Sequence, residues 1–451
     1  MAPEPQPAGT WLTRQRLWVH GLVLALCLWS TYAWIMSAPG LHDRNGIVKG
    51  ADFLHFYTLG ILAGVHRGSA LYNMQAQSAS AEERVPEAGH VYFIPLYPPQ
   101  VSLLFVPFAA LPYSWALLAW VVCSASLYVG CCWLIWRTCR NLSMDGALVL
   151  LLAFAYPAFF HVIVWGQTSV LAFACFTLAY LALRSGRRFA AGLAIGLLMF
   201  KPQLGIVAAF VLVSAREWEA VGGALSTAAA QLLAGWAYYG SSVMRDYWEH
   251  LTHASSVMMQ FEPRPYQMHS LRAFWTLLVP WPKLSLALWT TTAAAASIVA
   301  LLCWRRRASL PARFSVLLIA TVLVSPHLTV YDLTILAPAF LLLADEAVAD
   351  GELARKAGTL LYACYVLPLV GPLSMWTHLQ LSVPAMAALL WVVYRFTVST
   401  GEDPSARWAR SGQAPSAGSG QAARRSTDEL RRAGVPVPHD PSRTARSTLG
   451  R

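Results

Sequence analysis

Charge is what this chain has least of. Lysine, arginine, aspartate and glutamate make up 12% of its 451 residues, against roughly 25% in an ordinary soluble domain, and that shortage excludes a conventional water-facing surface. Acids are the scarcer sign, 22 against 33 basic residues, which leaves a net charge of +11. Cysteine is sparse too. The eight cysteines lie in or beside apolar runs and form no paired CxxC motifs, so neither a zinc site nor a disulfide framework is expected, and they are read as small buried hydrophobes. No internal repeat is visible, which withdraws support from a two-halved transporter.

What fills the space is apolar: 57% of the residues are hydrophobic. Stretches 18–36 and 284–304 are long enough to carry about 20 helical residues across a bilayer. The fold class that follows is all-α, a polytopic membrane protein of ten to twelve crossings. The first run follows Arg14 and Arg16, carries Trp18, Trp29 and Trp34 and lacks a clean small-residue cleavage site, so it reads as an uncleaved anchor. Basic residues beside spans mark the cytoplasmic side. Arg14/Arg16, Arg184/Arg187/Arg188, Arg305/Arg306/Arg307 and the tail after Arg395 place both termini inside and the loop 39–98 outside. Residues 1–400 form the membrane domain. Residues 401–451 hold nine arginines and five acids among Ser, Ala, Gly and Pro, a composition that predicts a disordered basic cytoplasmic tail, near anionic lipid rather than nucleic acid.

Two segments resist this layout. In 95–136 two spans fit the hydropathy, yet Arg137 and Arg140 then fall outside; either the Pro-rich piece 95–112 does not cross or those arginines break the rule. In 189–213, Lys201-Pro202 interrupts an apolar run with basic residues at both ends. Two half-helices meeting at membrane depth reconcile the charges, and such breaks are tolerated where they line a cavity or are buried in protein.

Candidate chemistry gathers near the outer side. Residues 51–65 suggest an amphipathic helix in the outer interface, with Asp52 at its start as either a helix cap or a functional carboxylate. Tyr97 lies in the aromatic, proline-rich YFIPLYPPQ, where an interface aromatic is the plainer reading. Gln167 follows Trp165-Gly166 at a tip between two apolar runs, a polar turn or a site residue. Lys201 is costly near a bilayer centre, about 2.5–3.5 kcal/mol on insertion scales, and is read as a cation facing a polar cavity. Arg264, His269 and Arg272 in RPYQMHSLRAFW are cations suited to phosphate or to lipid headgroups. SPHLTVYDL sets His327, Tyr331 and Asp332 within two turns at an outer membrane end. Carboxylate, cations and aromatics together suit a reaction on a lipid-linked anion.

The ordered set Asp52-Phe53, Tyr57, Gly68, Leu71-Tyr72, Tyr97-Pro98, Gly166-Gln167, Gly192…Gly196…Lys201-Pro202, Ser270-Leu271-Arg272 and Ser325-Pro326…Tyr331-Asp332 resembles glycosyltransferase family 87. The resemblance implies a GT-C-type helical bundle with a large first external loop carrying interfacial helices. It also implies transfer of a hexose, typically mannose, from a polyprenyl-phosphate sugar to a glycolipid or glycan acceptor at the outer face of the inner membrane. One departure is Gln267-Met268-His269-Ser270, where such proteins often carry Asn-Gln-Ser; it leaves donor and acceptor preference open. By the resemblance Asp52 is the general base, with Tyr57, Tyr97, Gln167, Lys201, His269, Arg272, His327, Tyr331 and Asp332 around the substrate. The chemistry agrees. A polyprenyl phosphate leaves without a general acid, the acceptor hydroxyl needs a base, and attack opposite the phosphate inverts the anomeric centre. No metal or cofactor is expected. A transporter or flippase for a lipid-linked or anionic solute is the rival reading, and a non-catalytic scaffold a third.

Overall fold

The computed structural model describes residues 12–261, 265–306 and 308–400. Arg264, Arg307 and the expected tail lie outside the described residues. Among the described residues there is no β-strand, only two isolated bridges, His42–Val48 and Met268–Thr329.

α1 (Arg14–Met36) opens on Thr13, whose hydroxyl accepts from Arg16 N. It buries only Gly21 and Ala25 and leaves Val19, Leu22, Val23 and Leu26 exposed, a surface that only lipid covers without cost. The first loop then folds into α2 (Ala51–Gly64), α3 (Met74–Arg84) and α4 (Gln100–Ala109). α2 forms where the periodicity predicts a helix but is not an interfacial amphipath: ten of its fourteen residues are buried on all sides. An evenly apolar helix buries its whole circumference rather than one stripe. Phe53, Phe56 and Tyr57 pack there with Phe105, Tyr113 and Trp120 in a core separate from that of the main bundle.

α4 has ten residues, a rise of about 15 Å, half of the roughly 30 Å hydrocarbon thickness. It does not cross. α5 (Tyr113–Trp136) therefore runs back alone, and Arg137 and Arg140 join the other basic residues at one end of the bundle. α6 (Gly146–Phe154) and α7 (Pro157–Trp165) form one apolar pair bent by 48°; α8 (Ser169–Arg184) returns. Contacts tie the basic end together: Arg14 pairs with Asp145, Asn141 N donates to Asp345 at 2.6 Å, and Arg184 donates to Thr138 O at 2.9 Å.

The resistant segment is a hairpin. α9 (Arg188–Gly196) continues as a 3-10 turn to Phe200, breaks at Lys201-Pro202, and returns as α10 (Ile206–Ser214). Both mouths lie at the basic end, closed by an Arg188–Glu217 ion pair of 3.1 Å. The next helix, α11 (Trp218–Phe261), is kinked at Gly240. It lies so close to α9 that a Cβ on Gly192 would meet Ala220 O at 2.0 Å and one on Gly196 would meet Ala224 O at 2.3 Å; small residues at this spacing are the general means of close helix approach in membranes. Beyond the kink, Val243 and Tyr247 enter the core around α2, so this half of α11 covers the first loop.

α12 (Leu271–Leu278) leads into α13 (Pro282–Arg305), α14 (Leu310–Val324), a 3-10 stretch over 330–336, and α15 (Ala337–Ala349). α16 (Gly351–Val366), a turn containing α17 (Ser374–Thr377), and α18 (Ser382–Thr400) complete the bundle. α1, α5, α13 and the stretch Gly351–Thr377 are each long and apolar enough to cross alone, and the bent α6–α7 pair adds a fifth. The expected ten to twelve crossings thus have no counterpart in as many long helices. α8 and α14 are shorter apolar helices; the polar turns at the start of α8 and the end of α14, opposite the basic end, hold the site.

Candidate active site

Asp52 is the second residue of α2. The residue before that helix is Gly50 in the left-handed region, and no side chain caps it. Asp52 is therefore not a cap. Its carboxylate leaves the helix and accepts 2.7 Å from Gln167 Nε2 at Oδ2. Gln167 is oriented by its neighbour, since Thr168 N–H donates to Oε1 at 3.1 Å and so turns the amide NH2 toward the carboxylate. Gly166 permits the meeting. It ends α7 at φ 69°, a conformation open to glycine at no steric cost, and a Cβ there would lie 2.6 Å from Phe53 Cβ. Only this residue lets the α7–α8 tip rest on the first turn of α2, and Trp120 Nε1 locks it by donating to Gly166 O at 2.9 Å.

Within electrostatic reach of Asp52 lies a buried ion pair. Lys201 Nζ donates to Asp332 Oδ1 at 2.8 Å and to Ser169 Oγ at 3.1 Å. Ser169 Oγ donates to the same Oδ1 at 2.5 Å. Asp332 Oδ2 accepts from the backbone N–H and the hydroxyl of Thr329, each at 3.3 Å, a reciprocal cap on the 3-10 stretch. Lys201 is 5% and Asp332 3% exposed. The ammonium also lies 5.3 Å from the centre of the Tyr331 ring. The lysine is thus not a lone cation facing a cavity. It ties the tip of the α9–α10 hairpin to the segment after α14, and breaking such a buried pair costs about 3–5 kcal/mol because the surviving charge is left uncompensated.

Tyr97 lies close to both groups. Its ring packs edge-on against Phe56 at 5.0 Å, its carbonyl accepts from Tyr72 OH at 3.0 Å, and its hydroxyl is within electrostatic reach of Lys201, Asp332 and Asp52. Burial raises its pKa. Asp52 is half-buried. Burial pushes its carboxyl up to about 6; the Gln167 hydrogen bond and Lys201 pull the other way, and Asp332 adds to the rise. A carboxyl poised there is deprotonated at neutral pH yet basic enough to take a proton.

Six of the ten expected residues therefore converge: Asp52, Tyr97, Gln167, Lys201, Tyr331 and Asp332. Arg272 and His327 border them. Arg272 donates to Pro326 O at 3.3 Å, one residue before His327, which is within electrostatic reach of Asp332. Two do not take the expected place. Tyr57 is 1% exposed in the α2 core and its hydroxyl is spent on Leu111 O at 2.8 Å. His269 is 2% exposed, bonded to Ser382 Oγ at 2.8 Å through Nδ1, and burial lowers its pKa to about 3. It is neutral, so it supplies no positive charge for a phosphate. Sequence reasoning passed over Ser169 and Thr329, which complete the Asp332 network. The run Gly166-Gln167-Thr168-Ser169 carried the signal, a hydroxyl opening a helix directly after the tip.

The glycosyltransferase family 87 model matches residues 95–326, just over half of the chain. The chain belongs to glycosyltransferase family 87. No curated protein and no solved structure matches it. Family membership makes it a membrane glycosyltransferase and assigns it a sugar donor and an acceptor in general terms. The matched stretch contains Tyr97, Gln167, Lys201, His269 and Arg272. Asp52, His327, Tyr331 and Asp332 lie beyond its ends, and geometry alone joins them to it.

Proposed function

We propose that this family 87 enzyme transfers a hexose, mannose in the first instance, from a polyprenyl-phosphate sugar to an acceptor hydroxyl at the outer face of the inner membrane, with inversion and with Asp52 as general base. The supporting observation is the state of that carboxylate. Oδ2 is held by Gln167, Oδ1 carries no hydrogen bond among the described residues, and the pKa stands at about 6. In the step envisaged, the acceptor O–H gives its proton to Oδ1 as its oxygen bonds to the anomeric carbon. The carbon–oxygen bond to phosphate breaks, and polyprenyl phosphate leaves with the electron pair. Cations placed to meet the growing phosphate charge stabilise such a transition state. Arg272, His327 and, across its ion pair, Lys201 are the candidates. The basic end of the bundle faces the cytoplasm by the charge rule, which sets Asp52, at the other end, on the outer side.

The test is Asp52→Asn in membranes given radiolabelled polyprenyl-phosphate mannose. Loss of transfer by about a hundredfold or more, the scale of a removed general base, with donor still bound, supports the reading. Unchanged transfer takes Asp52 out of this role, and movement of intact donor across the bilayer without transfer brings the carrier reading forward.

A further inference from the structure

The end of the bundle opposite Asp52 holds a concavity. It has a volume of about 460 Å³ and is lined by Ala215, Glu217, Trp304, Arg305, Arg306, Ala308 and Arg313. It lies where the α10–α11 corner meets the end of α13 and the start of α14, a full α14 length from Ser325 and the residues around Asp52. Its size is that of a small-ligand site, and its charge is unbalanced. The one carboxylate in the lining, Glu217, is already occupied: Oε2 pairs with Arg188 at 3.1 Å and Oε1 accepts from Trp304 Nε1 at 3.4 Å.

None of the three arginines is ion-paired among the described residues. Arg305 Nη2 donates to the Ser214 carbonyl at 2.5 Å. The Arg306 guanidinium stacks 5.6 Å over Tyr394, and that of Arg313 5.6 Å over Trp304 while Nη1 reaches Trp304 O at 3.3 Å. Arg313 Nε is buried without any hydrogen-bond partner. Glu346 on the adjoining helix accepts from Ser309 at Oε1, and its Oε2 is buried without a hydrogen-bond partner among the described residues. A buried donor left unmade is expensive, and guanidinium groups oriented by rings and carbonyls keep their remaining N–H groups for an acceptor with several oxygens.

We propose that Arg305, Arg306 and Arg313 form a binding site for a phosphate ester at the basic end of the bundle, and that its occupant is the headgroup of an anionic membrane lipid. Two features favour a lipid. The arginines stand at span termini, the depth of the headgroup layer, and basic pockets between helices on this side of a membrane suit anionic headgroups. The exposed flanks of α13, Ile298 and Leu302, give acyl chains an apolar surface immediately beneath. The site is independent of the role assigned to Asp52.

Native mass spectrometry of the full chain in detergent, titrated with phosphatidylglycerol and with phosphatidylcholine of the same acyl chains, tests this. The parent is expected to hold phosphatidylglycerol on the order of tenfold more tightly or better, and the triple change R305Q, R306Q, R313Q to erase that preference. Should the triple variant lose its helical circular dichroism, the surface change R306Q alone serves, with a partial loss of preference expected. Competition by millimolar inorganic phosphate identifies the source. No displacement of the lipid supports a headgroup site, and full displacement assigns the arginines to a free anion and overturns the lipid. Equal affinity for the two lipids, or a folded variant that retains the preference, overturns the site itself.

Discussion

Replacing Gln167 by Leu removes the one side-chain hydrogen bond to the Asp52 carboxylate among the described residues, and its consequence is a displaced pH profile. The bond of 2.7 Å from Nε2 favours the charged carboxylate. Hydrogen bonds to charged groups contribute about 1.5–3 kcal/mol, and one pH unit corresponds to about 1.4 kcal/mol, so its loss moves the carboxyl upward by about one to two pH units. From about 6, the group shifts to between about 7 and 8. The base works deprotonated. In the parent, kcat/KM therefore rises with pH through about 6 and levels off above it, whereas in Gln167→Leu the rise moves into the neutral range. At pH 6.5 the variant is impaired several-fold or more, and at pH 8.5 most of that loss is recovered. Sugar transfer from radiolabelled donor, measured from pH 5 to 9 at subsaturating donor, gives the profile. A variant whose limb stays near 6 while the whole curve drops evenly refutes the reasoning, because the amide then positions substrate instead of setting the basicity of Asp52.

Other outcomes follow from the same contacts. Lys201→Met is expected to destabilise the protein by about 3–5 kcal/mol by stranding buried Asp332, and Lys201→Met with Asp332→Leu to recover much of that loss; additive losses in a thermal-unfolding series overturn the view of the pair as a pin. Tyr57→Phe should cost about 1 kcal/mol for the lost bond to Leu111 O and leave kcat unchanged, which a melt and an assay together check. Gly166→Val places a β-branched residue at φ 69° against Phe53; a loss of at least about 1–3 kcal/mol, with transfer lost beyond what the folded fraction explains, is expected from circular dichroism and activity measured side by side.

Much of the fold could be read directly. Arginine clusters mark one end of the bundle, and there Arg14 pairs with Asp145, Arg184 reaches Thr138, Arg188 pairs with Glu217 and Arg305 reaches Ser214; Arg140, whose side the sequence left open, joins them through Asp345. Lys201-Pro202 signalled a broken hairpin because proline ends a helix by lacking a donor. The reading failed where burial is decided by partners distant in sequence. Nothing local to residues 51–65 says that α4 and the helix beyond Gly240 cover them, so an evenly apolar helix was read as half-exposed. The neighbours of His269 in sequence, an arginine and aromatics, suggest a cation; burial, with His161 adding to it, removes the charge, and both His161 and Ser382, the hydrogen-bond partner of His269, are more than a hundred positions away.

The amino-acid order alone determined the solvent. A chain this poor in charge and this rich in apolar runs must place its helices in lipid, and the arrangement of its arginines marks which ends lie together outside the segment 95–136, where only the shortness of α4 decides. Tertiary structure decided the site. Asp52 and Gln167 are 115 positions apart, and Lys201 and Asp332 are 131 apart. Their basicity and pairing arise from desolvation and from Coulomb interactions between groups that only the packed helices bring within 3 Å, and those energies are absent from an extended chain in water.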